Sequence, residues 1–331
     1  MERVPLARAE AWVADIVARH GAREQTAASV AHALVAAEAD GLGGHGLSRL
    51  PTYVGMLESG KIDGRAEPQG TRPKPSVLAI DAACGFAYPA IDLALAGLPA
   101  IAREMGIALA TITRSNHAGA IGLHVERLAH AGLVGIMMAN TPEAMAPAGG
   151  RRAVFGTNPI GFAAPLTGCA PVVVDLALSK VARGNIVAAK QKGEAIPEGW
   201  ALDAEGRPTT SAEAALGGTM VAMGDAKGAA LALMVEVLVA GLAGSHLAFE
   251  ASSFLDEKGP PPQTGQILIA IDPAGLGHAR FADRMTALAA AIEGQDGARL
   301  PGARRLALRA KAAVEGIVVA PALQARFGSI A

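Results

Sequence analysis

The stretch DGLGGHGLSR, residues 40–49, decides which fold class the rest of the chain can belong to. Gly41, Gly43 and Gly46 match the G-x-G-x-x-G pattern of dinucleotide-binding loops. That pattern has physical meaning only between a strand and a helix, where the glycines admit a pyrophosphate to the helix N-terminus. The preceding residues instead have helical spacing without a β-branched cluster, as shown by Ala27, Val30, Leu34 and Ala37. We therefore predict a helix-to-helix connection and reject a Rossmann loop here.

The same stretch presents His45, and Arg49 follows four residues later. If a helix begins near Gly46, the two side chains lie on one face within a turn. An imidazole beside a guanidinium suits a substrate that carries a carboxylate next to a carbonyl, because arginine can clamp the carboxylate and histidine can exchange a proton with the adjacent oxygen. A surface histidine beside a solvated arginine is the alternative that the spacing leaves open.

Composition excludes several classes of partner. The formal net charge of the 331 residues is −1 and aromatic residues make up 3%, which disfavours nucleic acid and anionic membranes as partners. Cys84 and Cys169 lack C-x-x-C spacing, and no His/Cys/Asp/Glu cluster has ligand spacing, so we expect neither a disulfide framework nor a metal site. The N-terminus lacks the apolar core of a signal peptide, and we expect a soluble cytoplasmic protein.

The hydrophobic pattern predicts three helices before Gly60, over Ala9–His20, Gln25–Ala39 and a segment carrying Leu47–Leu57. Strands and helices then alternate from Val77 to Asp272, which favours an α/β fold. We predict a helical region over residues 1–65, an α/β cofactor- and substrate-binding domain over 66–279, and a helical segment over 280–331 that packs on the N-terminal helices. Predicted strands are Val77–Asp81, Ile107–Ile112, Val134–Ala139, Val172–Leu176 and Gln266–Ile271. The apolar run Gly228–Gly244 contains Glu236 and is interpreted as a buried core helix.

Seven segments carry more information than periodicity does, and they occur in this order: Gly44–Pro51, Arg114–Ala120, Phe155–Ile160, Val174–Gly184, Ile196–Ala201, Gly224–Gly228 and Arg299–Gly302. Together they resemble the malate/L-lactate dehydrogenase-like family, which includes sulfolactate and ureidoglycolate dehydrogenases, diketogulonate reductase and Δ1-piperideine-2-carboxylate reductase. The resemblance implies an NAD(P)-dependent oxidoreductase with a non-Rossmann cofactor domain, built on a mixed, largely antiparallel sheet flanked by helices. It also implies a helical region made from both chain termini, and a homodimer with active sites near the subunit interface.

By this resemblance His45 is the proton donor to the carbonyl or imine that is reduced, and Arg49 binds the substrate carboxylate. Gly44 replaces a serine that serves a proton relay in the imine reductases of the family, and Asn185 stands where the relay's acidic residue falls. These departures make imine reduction less certain than keto-acid reduction. Thr157 matches a substrate-contacting threonine, while its neighbours Gly156, Asn158 and Pro159 are also ordinary turn residues.

The resemblance assigns two further segments to the cofactor. His117 precedes Ala118, Gly119 and Ala120, whose small side chains would let a dinucleotide approach a helix start. In some family members this histidine is itself the proton acceptor, so His117 is a second catalytic candidate. Cofactor contacts are also implied for Asp175, Leu176 and Ala177 at the end of a predicted buried strand. A structural histidine and an ordinary strand-end carboxylate are the alternatives.

The remaining cofactor candidates are basic residues beside glycines. Lys227 and Gly228 open a predicted helix, where an anionic phosphate would offset the unfavourable position of the lysine. Guanidinium groups in the late segment could recognise a 2′-phosphate, which favours NADP(H) over NAD(H), and the residues proposed there are Arg299, Pro301, Gly302 and Arg304. Solvated basic residues are the alternative in both places.

The sequence thus predicts interconversion of a small 2-oxo acid and its 2-hydroxy acid, of the malate, lactate or sulfolactate type. Reduction of Δ1-pyrroline- or Δ1-piperideine-2-carboxylate is the first alternative, since it needs the same carboxylate clamp. A catalytically silent cofactor-binding protein is the second. The joint presence of His45, Arg49, His117 and Lys227 disfavours that second alternative.

Overall fold

The computed structural model describes residues 3–277 and 279–330. Its main layer is a seven-stranded mixed sheet in the order β2-β3-β4-β11-β5-β6-β7. Only the pair β3–β4 is parallel, and helix α4 connects these two strands. The described strands are β1 Arg3–Val4, β2 Gln69–Lys74, β3 Val77–Asp81, β4 Ile107–Ser115, β5 Val134–Ala139, β6 Ile160–Ala164, β7 Val172–Leu176, β8 Ala201–Leu202, β9 Pro208–Thr209, β10 Thr219–Met220, β11 Thr264–Ile271 and β12 Ile317–Val318.

Helices cover the sheet and form a separate layer beside it. The described helices are α1 Leu6–Arg19, α2 Glu24–Ala39, α3 Leu50–Glu58, α4 Ala87–Met105, α5 Ile121–His130, α6 Arg183–Lys192, α7 Ala212–Gly217, α8 Ala226–Glu236, α9 Phe281–Glu293, α10 Ala303–Glu315 and α11 Pro321–Phe327. No helix in the described part of the chain is both long and apolar enough to cross a membrane.

Alternating side chains of the central strands enter two different cores. In β5, Met137 packs into the core under α4 and α5, whereas Met138 packs into the core on the opposite face. In β11, Leu268 packs into the core under α4 and α5, and Ile267 packs into the core on the opposite face. Because successive strand residues point to opposite faces, a strand covered on both sides is apolar throughout. This explains why Val134–Ala139 was predicted as a strand at its observed bounds.

A third core joins the first helices to the end of the chain. The N-terminal helices contribute Trp12, Ile16, Leu34 and Leu50, and the C-terminal segment contributes Ala312, Ile317 and Val319. Strand β1 also pairs with β12. The C-terminal segment therefore contacts the N-terminal helices. The predicted mixed, largely antiparallel sheet is confirmed. The division at residues 65 and 279 stays a prediction.

Candidate active site

The loop that presents His45 consists of two short 3-10 turns, Gly43–His45 and Leu47–Arg49. Gly46, with φ −93° and ψ −142°, lies outside the helical region and separates them, so α3 begins at Leu50 and not near Gly46. The Leu47 N–H donates to Glu38 Oε2 at 2.9 Å, and the same carboxylate fills the space that a Cβ on Gly46 would need. The glycine is therefore required for packing against α2, and the rejection of a Rossmann loop is confirmed.

His45 and His117 form a stacked pair. Their ring centroids are 5.5 Å apart and the rings are inclined by only 9°. His45 is half-buried, whereas His117, which lies between β4 and α5, is 8% exposed. The structure thus places the two histidines predicted from distant segments in direct contact.

Two buried tyrosines hold His117 from behind. The Tyr53 hydroxyl lies 2.7 Å from His117 Nδ1 and 2.8 Å from the Tyr88 hydroxyl. Burial raises the pKa of Tyr53 to about 12 and that of Tyr88 well above its usual range, so both hydroxyls keep their protons. Burial, followed by the Arg49 charge, lowers the pKa of His117 well below its usual range. The tyrosine pair therefore faces a neutral imidazole.

The Tyr88 hydroxyl decides which group donates at each step of this hydrogen-bond chain. Apart from Tyr53, the Tyr88 hydroxyl has no hydrogen-bond partner among the described residues. A buried hydroxyl without an acceptor for its proton is costly, so Tyr88 donates to Tyr53 and Tyr53 donates to His117 Nδ1. His117 then carries its proton on Nε2. Tyr53 was missed in the sequence, although it lies four residues after Arg49 on the same helical spacing.

Arg49 is held by two carbonyl oxygens. Its Nε donates to the Gly44 carbonyl at 2.8 Å and its Nη1 to the Phe254 carbonyl at 3.3 Å. The side chain is half-buried and no ion pair to it is seen among the described residues. Burial and, second, this positive charge lower the pKa of His45 to about 4. The site therefore combines neutral imidazoles with a guanidinium, an arrangement that attracts a carboxylate.

Phe254 also contacts the histidine pair. Its ring meets His117 edge-on with centroids 5.4 Å apart. It belongs to residues 252–258, an irregular loop that contacts α3. Phe254 was not predicted as a site residue. Without the three-dimensional contact, an aromatic residue in an irregular segment gives no such signal.

Thr157 lies in a turn that is fixed by buried polar groups. Its N–H donates to Thr141 Oγ1 at 2.9 Å, and its carbonyl accepts the Leu178 N–H at 2.8 Å. The next residue, Asn158, has a φ of +39° and donates from Nδ2 to Glu236 at 2.9 Å. In the described residues no hydrogen bond joins Thr157 to His45 or Arg49. Asn185 lies exposed in the first turn of α6.

Asp175 lies at the end of β7, which is an edge strand of the sheet. The prediction of a buried strand is wrong here, because the outermost position leaves Asp175 exposed. Asp175 Oδ2 accepts the Gly122 N–H of α5 at 2.8 Å, so the carboxylate caps the helix that follows His117 and Ala118–Ala120. The two predicted cofactor segments, including Leu176 and Ala177, thus meet at the start of α5.

The late basic segment borders a pocket of about 450 Å³ at the start of α10. Gly302 begins the helix with a φ of +90°, a conformation that favours glycine. Arg299 and Arg304 are exposed beside the pocket, while Arg305 Nη1 is buried with no hydrogen-bond partner among the described residues. Guanidinium groups at a helix start suit a phosphate, so this donor set fits a phosphorylated cofactor.

Lys227 and Gly228 lie elsewhere, at the start of α8. Neither of them lines the pocket at α10, and Lys227 is exposed. A Cβ on Gly228 would overlap the Met223 backbone, so chain packing alone accounts for this glycine. In the described part of the chain, no group of three His, Cys, Asp or Glu side chains is arranged to hold a metal ion.

Below the pocket, two arginines and two carboxylates form a buried ionic cluster. Arg309 binds Asp40 through two contacts of 2.7 Å and Glu126 through a third, also of 2.7 Å. Arg305 lies 3.3 Å from Asp40 and 3.2 Å from Glu126. Asp40 directly precedes the glycine-rich loop and Glu126 belongs to α5. The cluster thus joins the base of the His45 loop, α5 and α10.

The apolar run predicted as a buried core helix is only half buried. Helix α8 continues as a π-helical turn over Val237–Leu242, and Val235 and Val239 face the core. The opposite face is open and borders an apolar pocket of about 380 Å³. Hydropathy alone cannot distinguish a core-facing side chain from one on an exposed apolar face. The exposed apolar residues of this segment are Leu231, Leu233, Met234, Val237 and Leu242.

Residues 4–327 match the malate/L-lactate dehydrogenase family. The chain is 51% identical to a (2R)-3-sulfolactate dehydrogenase (NADP(+)) of Chromohalobacter salexigens over 84% of this chain and 83% of the relative. It is 40% identical to a Δ1-pyrroline-2-carboxylate/Δ1-piperideine-2-carboxylate reductase of Pseudomonas putida, over 96% and 93% respectively.

The fold is also that of a solved structure. Crystals of the Δ1-piperideine-2-carboxylate reductase from Pseudomonas syringae pathovar tomato show a chain that superposes with a TM-score of 0.95 at 37% identity. The superposition covers 100% of both chains. On its matched length, its identity to these relatives and its fold, the chain belongs to the malate/L-lactate dehydrogenase family.

Proposed function

We propose that the protein interconverts a small 2-oxo acid and the corresponding 2-hydroxy acid with NADP(H). Membership of the family makes it an NAD(P)-dependent oxidoreductase. The observation that carries the proposal is the stacked His45–His117 pair beside Arg49, whose positive charge faces two neutral imidazoles. A group that must bind a carboxylate and a group that must deliver a proton are thus adjacent.

When bound, a reduced nicotinamide supplies a hydride to the substrate's C2. Arg49 binds the carboxylate, and its two backbone contacts keep the guanidinium in one orientation. Burial and, second, the Arg49 charge lower the pKa of His45. A carboxylate on Arg49 offsets the second cause, which favours the protonated His45 that delivers its proton to the C2 oxygen. His117, fixed by Tyr53 through Nδ1, holds the His45 ring by stacking. Thr157 is proposed to contact the substrate.

The two groups of relatives support different substrates, and the residues favour the oxo acid. The relative from Chromohalobacter is named a sulfolactate dehydrogenase, and that from Pseudomonas putida a reductase of cyclic imino acids. Gly44 and Asn185 cannot form the serine–acid relay of the imine reductases, whereas His45 and Arg49 suffice for a keto acid. Reduction of Δ1-pyrroline- or Δ1-piperideine-2-carboxylate is the second candidate, supported by the fold and by the same carboxylate clamp.

The pocket at α10 supports the cofactor preference. Arg299 and Arg304 are free to reach a 2′-phosphate, and the C. salexigens relative is named for NADP(+). The same region holds Arg305 Nη1, which is buried and has no hydrogen-bond partner among the described residues. His117–Ala120 and Asp175–Ala177, which meet at the start of α5, are proposed to contact the rest of the dinucleotide. Lys227 and Gly228 stay predictions for this role, as does a cytoplasmic location.

A substrate panel tests the function directly. Purified protein is given 3-sulfopyruvate, oxaloacetate, pyruvate and the two cyclic imino acids, each with NADPH or NADH, and loss of reduced-cofactor absorbance is followed. We expect the highest kcat/KM for an oxo acid and a lower KM for NADPH than for NADH. A higher kcat/KM for a cyclic imino acid would transfer the proposal to the second candidate. No turnover with any of the compounds would overturn it.

We further propose that the exposed apolar face of α8 binds a second copy of the chain. Large side chains at this face are 52% exposed at Leu233, 54% at Val237 and 66% at Leu242, and Phe249 is 52% exposed beside them. A contiguous exposed apolar surface of this kind marks an interaction site. The homodimer implied by the resemblance accounts for it, because each copy would cover the other's face.

Leu242→Asp is expected to convert the dimer into a monomer, since it places a charge in the buried centre of the interface. Sedimentation velocity of both proteins measures the change. Val314→Asp is the matched control, because Val314 is 88% exposed on α10, away from this face. A monomeric parent protein, or a Leu242→Asp protein that stays dimeric, would contradict the proposed interface.

A further inference from the structure

One buried ammonium group holds the loop that covers the histidine pair. Lys61 follows α3, and its side chain is 0% exposed. Its Nζ donates three hydrogen bonds, to the carbonyl oxygens of Ser253 at 2.7 Å, Asp256 at 3.0 Å and Lys258 at 2.6 Å. An ammonium has three donors, so every one of them is satisfied by the same loop. The arrangement gathers three carbonyls of one irregular segment around a single charge.

Regular secondary structure does not fix the shape of this loop. Residues 252–258 contain neither helix nor strand. Within the loop, the Leu255 N–H bonds to Ser253 Oγ at 3.0 Å and the Lys258 N–H to Asp256 Oδ1 at 2.9 Å, and both are short-range contacts. Such local bonds set a turn but do not attach it to the body of the protein. That attachment comes from the three Lys61 bonds, together with the Phe254 contacts to Arg49 and His117.

The attached loop touches the site at two points. Phe254 directly follows Ser253, whose carbonyl Lys61 binds. Its ring meets His117, and its carbonyl accepts the Arg49 Nη1 proton at 3.3 Å. A displacement of the loop would therefore free one edge of the guanidinium and open one side of His117 at the same time.

An apolar residue at position 61 would be sufficient if the site only needed filling. Burial of a charge is costly, and it lowers the pKa of Lys61 even though Asp256 lies 3.7 Å away. Arginine would not replace it well, because its planar fork does not match three converging carbonyl oxygens. The three-donor geometry of lysine is what this loop requires.

We propose that Lys61 is a positioning residue, which fixes residues 253–258 so that the Phe254 carbonyl orients Arg49 for the substrate carboxylate. The proposal rests on the carboxylate role proposed for Arg49. Lys61 touches neither substrate nor histidine. Its effect reaches the site through the loop, and we expect it in substrate binding more than in the chemical step.

The test compares Lys61→Met with Lys258→Met. Lys258→Met is the matched control, because this substitution removes one positive charge from the same region and leaves the Lys258 backbone carbonyl in place. Hydrogen–deuterium exchange of the amides in residues 252–258 reads the loop without any assay of activity. We expect at least about tenfold faster exchange in Lys61→Met and no change in Lys258→Met.

Kinetics supply the second readout. Loss of an orienting contact to a charged group is expected to raise the KM for the oxo acid by about five- to tenfold, with kcat reduced by less than about threefold and cofactor affinity unchanged. Unchanged exchange together with unchanged KM would overturn the proposal. Equal changes of exchange and KM in Lys258→Met would also overturn it, because they would show that any loss of positive charge in this region has the same effect.

If Lys61→Met does not fold, Lys61→Gln provides the same test, since an amide retains two of the three donors. Its exchange and KM should lie between those of the parent and complete release of the loop. Parent-like values for both would overturn the proposal. Failure of the substrate panel would instead contradict the proposed function, while the exchange of residues 252–258 would still decide, without turnover, whether Lys61 holds the loop.

Discussion

Replacing His45 with alanine is expected to lower kcat by about 10²–10⁴-fold, the usual contribution of a positioned general acid. His45 lies in a short turn with its ring stacked on His117, so its removal leaves the backbone contacts of Arg49 to Gly44 and Phe254 in place. Cofactor affinity should therefore stay near that of the parent. Pre-steady-state or steady-state rates with the best oxo acid measure the loss, and fluorescence titration measures the cofactor.

His117→Ala is the necessary comparison, because the two rings are in contact. It removes the acceptor of the Tyr53 hydrogen bond as well as a stacking partner, so some loss of rate is expected in this variant too. Near-normal kcat in His45→Ala, with loss of both the rate and its pH dependence in His117→Ala, would assign the proton to His117. Equal losses with intact cofactor binding would mean that the two histidines form one proton path.

The pH dependence of kcat and kcat/KM should also identify His45 as the proton donor. Burial, then the Arg49 charge, lowers the pKa of His45 to about 4 without substrate, and the bound carboxylate raises it by offsetting that charge. Reduction needs the protonated form, so the rate falls as pH rises through this pKa. The fall in kcat should therefore occur at higher pH than the fall in kcat/KM, which reports the free enzyme. His45→Ala should lack both falls.

Replacing Arg49 with lysine is expected to raise the KM for the oxo acid about 10- to 100-fold. Lysine keeps the charge but loses the fork that can bind a carboxylate through two parallel bonds, and a hydrogen bond to a charged group contributes roughly 1.5–3 kcal/mol. Lysine also cannot keep both contacts of the guanidinium, to Gly44 and to Phe254. KM and kcat measured separately, with cofactor affinity as a reference, check this result.

The methyl ester of the same oxo acid is the control for Arg49→Lys. It lacks the carboxylate charge, so the substitution should change its KM little. An equal rise for acid and ester would show that Arg49 acts on the shape of the site and not on the carboxylate. An unchanged KM for the acid would place the carboxylate elsewhere.

Sequence reasoning succeeded where burial leaves a strong pattern. The central strand Val134–Ala139 is apolar because both faces are covered, and it was predicted at its exact bounds. The strand Gln69–Lys74 was missed because every residue in it is exposed, so no apolar alternation marks it. The helix-to-helix connection that contains His45 was predicted from the spacing of apolar residues. The interruption of helical structure at Gly46 depends on Glu38, which packs there only in the folded chain.

The functional residues divide in a similar way. His45, Arg49 and His117 have chemistry that identifies them in the sequence, and the fold brings them together. Tyr53, Tyr88 and Lys61 act through contacts with residues far away in the chain, such as the hydrogen bonds from Lys61 to Ser253 and Lys258. A tyrosine within a helix, or a lysine just after one, carries no mark of such a partner in the sequence. Spacing within one segment therefore cannot predict these roles.

The buried cluster of Asp40, Glu126, Arg305 and Arg309 has a consequence for biosynthesis. Asp40 and Glu126 precede Arg305 and Arg309 in the sequence, so the ribosome makes the two carboxylates long before the arginines that neutralise them. Domains begin to fold from the N-terminus while synthesis continues. A nascent chain ending before Arg305 would have to bury two unpaired acids beneath the His45 loop, which is strongly unfavourable. The loop should therefore reach its final form only after α10 has emerged. We therefore expect the nascent chain to stay inactive until then.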